Sequence, residues 1–167
     1  MEFGGRYCKP NNPDCPNCIF QNICVAKEKK LVDTLPVKAN KTKVRDRHFQ
    51  YLVIRYKTRT WIKQRAGKDI WEGLYDFPLI ESNKALTETQ IKKSPFWKKH
   101  LGKAGASILK EPVVYKHILS HQRIYASFWE VEVKNKVKEE AWTETAQSKL
   151  HEYAVPRLVD RYLEESE

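Results

Sequence analysis

The chain has 167 residues, of which 41% are hydrophobic and 11% aromatic, enough apolar matter for a packed core and too much for wholesale disorder. Lysine and arginine total 31 against 21 acidic side chains, a formal charge of +10, which suits a polyanionic partner, nucleic acid before membrane, through counterion release. No apolar run is long enough to span a bilayer and no basic-then-apolar leader opens the chain, so a cytoplasmic protein with no membrane partner is expected.

Residues 1–30 carry all the cysteines, with Pro10, Pro13 and Pro16 breaking any long helix. Cys8, Cys15, Cys18 and Cys24 follow the spacing C-x6-C-x2-C-x5-C. Loops this short strain a disulfide and constrain little chain entropy, and a reducing cytosol disfavours the bridge further. Four thiolates meeting at one point is metal chemistry instead. Structural zinc with four cysteines usually shows two C-x2–4-C knuckles, and only Cys15 and Cys18 form one here. A [4Fe–4S] cube can be gripped by one thiolate per corner from a single looping chain. The spacing therefore favours the cluster and keeps zinc as the alternative occupant.

Residues 31–44 are polar, basic and poor in aromatics, and read as a linker. Residues 45–167 have the length of one ordinary domain and read as mixed α and β. His48 to Tyr56 is dense in β-branched and aromatic residues, with Thr60 to Arg65 as its hairpin partner across Lys57-Thr58-Arg59. Trp71 to Ile80 is a further extended segment. Thr87 to Lys93 is expected as a short helix capped by Thr87 and halted before Pro95, and Lys98-Lys99-His100 as a solvated helix end. Val113 to Leu119 and Ile124 to Val133 are two more strands. In the second, Tyr125, Ser127, Trp129, Val131 and Val133 alternate against Ala126, Phe128, Glu130 and Glu132. Ala146 to Tyr153 and Pro156 to Glu164 are expected as closing helices, with Pro156 at a first helical position.

The cysteine spacing, with Cys8-Lys9-Pro10 and Asn12-Pro13-Asp14-Cys15 inside it, resembles the cluster loop of the helix-hairpin-helix DNA glycosylases. Arg65 followed by Trp71-Glu72-Gly73-Leu74-Tyr75-Asp76-Phe77-Pro78 resembles the W-x-G-L-x-x-F-P pattern of the MutY-type adenine DNA glycosylases among them. Leu119-Ser120-His121 is similar to the F-S-H loop of that family, with Leu in the Phe position, and Tyr153-Ala154-Val155-Pro156-Arg157-Leu158 to its closing helix. The resemblance implies a [4Fe–4S] cluster on Cys8, Cys15, Cys18 and Cys24, chiefly structural. For residues 45–167 it implies an α+β fold of the MutT (Nudix) type, a mixed sheet flanked by helices. It further implies a monomer of the bacterial cytoplasm, associated with the nucleoid when on DNA, that takes part in base-excision repair of adenine paired with 8-oxoguanine.

In this family the loop's basic residues touch phosphate, which makes Lys9, Lys27, Lys29 and Lys30 the candidates here. The matching serine contacts the oxidised base, so Ser120, with His121 and Leu119, forms the expected recognition turn, and Arg123 and Tyr125 are nearby candidates. A hydroxyl that both donates and accepts can report the N7–H and the C8 oxygen that distinguish 8-oxoguanine from guanine. Without the resemblance, Ser-His between two strands is ordinary turn chemistry. Trp71, Leu74, Tyr75 and Phe77 are expected in the core, and Gly73 and Pro78 as residues that shape the backbone.

The family's catalytic glutamate and aspartate lie in a helical region ahead of the cluster, so no catalytic residue is expected among these 167 residues and the chain alone is expected to be inactive as a glycosylase. Two rival readings remain. A Nudix hydrolase needs several glutamates on one helix converging on Mg²⁺, and after Gly73 the chain offers Glu81 and Glu88 but no R-E-x-x-E-E run. A zinc-stapled nucleic-acid-binding module unrelated to repair is the other.

Overall fold

The computed structural model describes residues 6–9, 11–35 and 44–166, and the chain divides into two compact units, Met1–Lys43 and Val44–Glu167. Most of the expected linker, residues 36–43, lies outside the described residues, as does Pro10.

In the first unit, tight turns carry the chain from cysteine to cysteine. The Cys18 N–H donates to the Cys15 carbonyl (3.3 Å) and the Gln21 N–H to the Cys18 carbonyl (3.0 Å). Asn12 and Lys30 take left-handed φ angles of 51° and 56°, a conformation that turns the chain sharply. Helix α1 (Val25–Glu28) is a single turn with Cys24 at its N-cap and no buried residue. Ile19, Ile23 and Val25 are 74%, 77% and 57% exposed.

The second unit is built on a long central strand pair. Strand β1 (Arg45–Tyr56) turns through Lys57 and Thr58 into β2 (Arg59–Gln64), with Tyr56 opposite Arg59. The hairpin loop is thus two residues, one shorter than expected, because Lys57 adopts φ 54° and closes the turn earlier. The chain continues through β3 (Tyr75–Asp76), β4 (Leu79–Ser82), helix α2 (Glu88–Lys93), helix α3 (Pro95–His100), β5 (Ser107–Ile108), β6 (Val113–Ile118), β7 (Gln122–Glu132), β8 (Thr143–Ala146), a 3₁₀ turn (Gln147–Glu152) and helix α4 (Arg157–Glu164). The sheet runs β3-β2-β1-β7-β5, with β4 also on β1, β6 on β7 and β8 on β2. β1 and β7 are parallel neighbours over eleven residue pairs, from Arg45↔Gln122 to Arg55↔Glu132. The other pairings are antiparallel.

Both faces of this pair are covered, so the alternation in the sequence sorts residues between two cores. Phe49, Tyr51, Val53, Ile124, Ala126 and Phe128 point to one face, where Leu158, Val159 and Tyr162 of α4 pack. Phe128 stacks on Tyr162 with centroids 4.2 Å apart. Leu52, Ile54, Trp129 and Val131 point to the other, under Ile91 of α2 and Trp97 of α3. Large aromatics buried this fully contribute roughly 2–3 kcal/mol each by removal from water. The result is the expected mixed sheet flanked by helices.

Local signals start the two helices that cover the second core. Thr87 and Gln90 form a reciprocal capping box at α2, and the Ser94 hydroxyl accepts from the Trp97 N–H to start α3, with Pro95 inside its first turn. Lys98, Lys99 and His100 form the last turn of α3, as expected, although His100 Nδ1 lies 2.6 Å from Glu139 Oε2 rather than in open solvent.

Three expectations need correction. Trp71 to Ile80 is not one extended run: Trp71 sits in a turn with φ 61°, Gly73 has φ 80°, and the strand begins only at Tyr75. Paired hydrogen bonds close this loop, Arg65 N–H to the Leu74 carbonyl (2.8 Å) and Gly73 N–H to the Arg65 carbonyl (2.9 Å). Ala146 to Tyr153 is not an α-helix: Thr143–Ala146 pairs with β2 as β8, and the six residues that follow wind as a 3₁₀ turn with no side-chain cap. Pro156 is the N-cap of α4, extended at ψ 145°, rather than its first helical residue.

Candidate nucleic-acid interface

Strands β6 and β7 form a hairpin whose tip is Ser120-His121. Leu119 N–H donates to the Gln122 carbonyl at 2.8 Å, which closes the turn, and Arg45 N–H donates to the His121 carbonyl at 3.0 Å. Ser120 and His121 are exposed. Leu119 is half-buried and packs against the first core, so of the three predicted turn residues it alone faces inward. The tip therefore offers a hydroxyl and an imidazole to solvent on a backbone held from both sides.

Beneath the tip lies a charge network that the motif reading missed. Arg47 is 6% exposed and its guanidinium makes five hydrogen bonds. It donates to both oxygens of Glu81 (2.7 and 2.7 Å), both oxygens of Asp69 (2.8 and 2.7 Å) and Oε1 of Gln122 (3.1 Å). A planar fork can hold two carboxylates at once, each through two N–H bonds, which an ammonium with three donors cannot. The hydrogen bonds from Arg47 hold the Asp69 and Glu81 carboxyls below the usual carboxylate range, and reciprocally raise Arg47. One side chain thus ties β1 to the 65–74 loop, to β4 and to the residue that closes the tip. The signal was present in the alternation: Arg47 lies in phase with Phe49, Tyr51 and Val53, which all face the first core.

The neighbouring pair is Arg65 and Asp76. Arg65 Nη1 donates to Asp76 Oδ2 (2.8 Å), Nη2 to Asp69 Oδ2 (3.1 Å) and Nε to the Ile70 carbonyl (3.1 Å). Burial is the largest influence on Asp76 and outweighs the Arg65 contact, lifting its carboxyl to about 6. Trp71 lies edge-on to Phe49 (6.2 Å) and against His117 of β6 (5.7 Å). Phe77 is 1% exposed, and Tyr75 and Trp71 pack against the same core, as expected, whereas Leu74, expected beside them, is half-buried and belongs to neither core. Gly73 serves the backbone-shaping role assigned to it.

On the other face of the sheet, Tyr125 stacks on His48 (4.9 Å, 15°) and Lys116 Nζ lies 5.6 Å from the Tyr125 ring centre. Arg123 is exposed, with Nη1 3.9 Å from Asp46.

In the first unit, Cys8 is exposed, Cys15, Cys18 and Cys24 are half-buried, and all four are unbridged thiols. By donor chemistry the set fits an iron–sulfur cluster, or zinc. By placement it does not: among the described residues no three of His, Cys, Asp or Glu are gathered as a metal ion would need. Lys9, Lys27, Lys29 and Lys30 are exposed, with Lys27 Nζ donating to Gln21 Oε1 at 3.1 Å. Among the described residues no helix is long and apolar enough to cross a membrane.

The family model for the NUDIX domain matches residues 50–165. The chain is 31% identical over 94 residues to the adenine DNA glycosylase of Buchnera aphidicola subsp. Schizaphis graminum, covering 56% of this chain and 27% of that protein. It is 26% identical over 127 residues to the adenine DNA glycosylase of Buchnera aphidicola subsp. Baizongia pistaciae, covering 75% and 33%. The chain thus spans about a third or less of the length of these relatives. Among solved structures, the C-terminal domain of mouse MUTYH, taken from its complex with human PCNA, matches with a TM-score of 0.55 at 13% identity over 73% of this chain and 89% of that one. A MutT protein from Methanosarcina mazei Go1 matches with 0.54 at 15% identity, over 73% and 93%. At these identities the structures speak for the fold.

Proposed function

The chain belongs to the NUDIX domain family, and from that premise we propose that it is the DNA-binding, lesion-reading portion of an adenine DNA glycosylase that acts on adenine opposite 8-oxoguanine. The observation that carries the reading is the Ser120-His121 tip, exposed and held by Arg45 and by the Arg47–Gln122 bond. A donor-acceptor hydroxyl on a rigid turn suits the N7–H and C8 oxygen of the oxidised base. Similarity to proteins named adenine DNA glycosylase supports the repair role.

Nucleotide hydrolysis is the less supported use of this fold. Asp76 within the Trp71–Pro78 motif and Glu81 after it are engaged by the guanidinium groups of Arg65 and Arg47, and Glu88 by the Lys92 ammonium, which leaves them poor hosts for Mg²⁺. For the first unit the proposal is that Cys8, Cys15, Cys18 and Cys24 ligate a [4Fe–4S] cluster, with zinc as the alternative. Ligation would require the thiols to draw together on binding.

Fluorescence anisotropy with duplexes carrying 8-oxoguanine:adenine or guanine:adenine tests the reading. The chain is expected to prefer the oxidised duplex, and Ser120→Ala to reduce that preference about tenfold, the ~1.4 kcal/mol scale of one hydrogen bond to a base edge. Equal affinity for the two duplexes in the unmodified chain would refute it.

A further inference from the structure

The second core does not reach the hairpin end of its sheet face. Trp129 and Val131 of β7 lie under α2 and α3, but Tyr125, on the same face four residues earlier, is only half-buried. Register builds two cross-strand rows on this uncovered end. Lys116 pairs with Tyr125 and Tyr125 with His48, while Ile118 pairs with Arg123 and Arg123 with Asp46. The rows are two residues apart, about 7 Å along the strands, which matches the rise of two nucleotides at ~3.4 Å each. The first row is a stack standing on the sheet, Lys116 against Tyr125 against His48, whose polar ends are an ammonium, a phenol and an imidazole. All three can donate to an anionic oxygen. In the second row Ile118 is 67% exposed and Arg123 extends a guanidinium. The acidic group within reach is Asp46, 3.9 Å from Arg123 and half exposed, too long and too solvated a contact to consume that charge.

We propose that this face, β6–β7–β1 beside the Ser120-His121 tip, is a track for the sugar-phosphate backbone of one nucleic-acid strand, with Lys116 and Arg123 on phosphates and Tyr125 and His48 as the donor stack in the row of Lys116. The charge of the row, its spacing and its continuity with the exposed tip through Ile118 select a polyanionic strand over an apolar partner. The inference rests on the reading that the tip meets DNA. It adds what the tip cannot supply, affinity independent of the lesion.

The test measures affinity for the oxidised and unoxidised duplexes at several salt concentrations, using the full chain and its Lys116→Ala/Arg123→Ala variant. Both changes are at exposed positions, and a thermal melt checks that the fold is kept. The track predicts that affinity for both duplexes falls together by about tenfold, that the slope of log K against log salt weakens by about 2, and that the preference for 8-oxoguanine is retained. Tyr125→Phe, which keeps the stack and removes the hydroxyl, should weaken both duplexes by a smaller equal factor. Unchanged affinity and slope in the double variant would overturn the track. So would a wild-type chain that binds neither duplex, including one that instead pairs with a second copy of itself as concentration rises. A chain that binds both duplexes equally, yet loses slope in the double variant, would refute the lesion reading and uphold the track.

Discussion

Replacing Arg47 by methionine keeps the length of the side chain and its contact with Phe49 while deleting the guanidinium. Five hydrogen bonds are lost, and Asp69 and Glu81 lose the cation between them, keeping only Arg65 on Asp69 and the longer Arg45 contact on Glu81. Breaking a fully buried pair by removing one partner costs about 3–5 kcal/mol. Here the carboxylates are 42% and 36% exposed, so water screens part of the loss and about 2–3 kcal/mol is the expected destabilisation. Urea unfolding at pH 7 measures it. The sign of the pH dependence follows from the depressed carboxyls of Asp69 and Glu81. Their contribution is fully present above the unfolded-state values near 4 and disappears as pH falls through the folded-state values below them. The gap between wild type and Arg47→Met should therefore narrow as the protein is acidified from about pH 5 downward. Arg47→Lys should recover less than half of the loss, because one ammonium cannot bridge two carboxylates in the plane of a fork. A gap below ~0.5 kcal/mol, or one unchanged between pH 7 and pH 3, would refute the account of this network.

Asp76 has the opposite sign: its folded value near 6 lies above the unfolded one, so the native state binds the extra proton and stability from this group rises as pH falls from about 7 to 4. Asp76→Asn should remove that component, seen in unfolding curves across the same range, and carboxyl NMR should place its titration near 6. Gly73→Ala meets no neighbouring atom but must hold φ +80°, so a loss of about 1–2 kcal/mol is expected from backbone strain alone, and Gly73→Asn should lose less. Anaerobic reconstitution with iron and sulfide should give broad visible absorption that Cys24→Ser abolishes. Colourless protein that binds one zinc instead would favour the alternative occupant.

What the amino-acid order determined by itself was local. The Thr87–Gln90 box, the stop before Pro95 and the two-faced alternation from Ile124 to Val133 each depend on groups a few residues apart, so their hydrogen bonds and side-chain directions are written where they occur. The cysteine spacing and the Trp71–Pro78 and Leu119–His121 motifs pointed to the family for the same reason. Long-range closure decided the rest. The partners of Arg47 lie 22, 34 and 75 residues away, and only the parallel pairing of β1 with β7 brings Gln122 beside it. Ala146 to Tyr153 has the composition of a helix, yet β2 recruits its start as a strand, a gain that propensity within the segment does not contain. Trp71 is driven into a left-handed turn because Arg65 closes the loop around it and Phe49 and His117 receive its ring. Lys116, Tyr125 and His48, spread over 78 residues of chain, become one row only when three strands are set side by side in register. A turn, a cap or a ligand spacing can be read from neighbours in sequence, whereas a buried charge or a binding face exists only after distant segments have met.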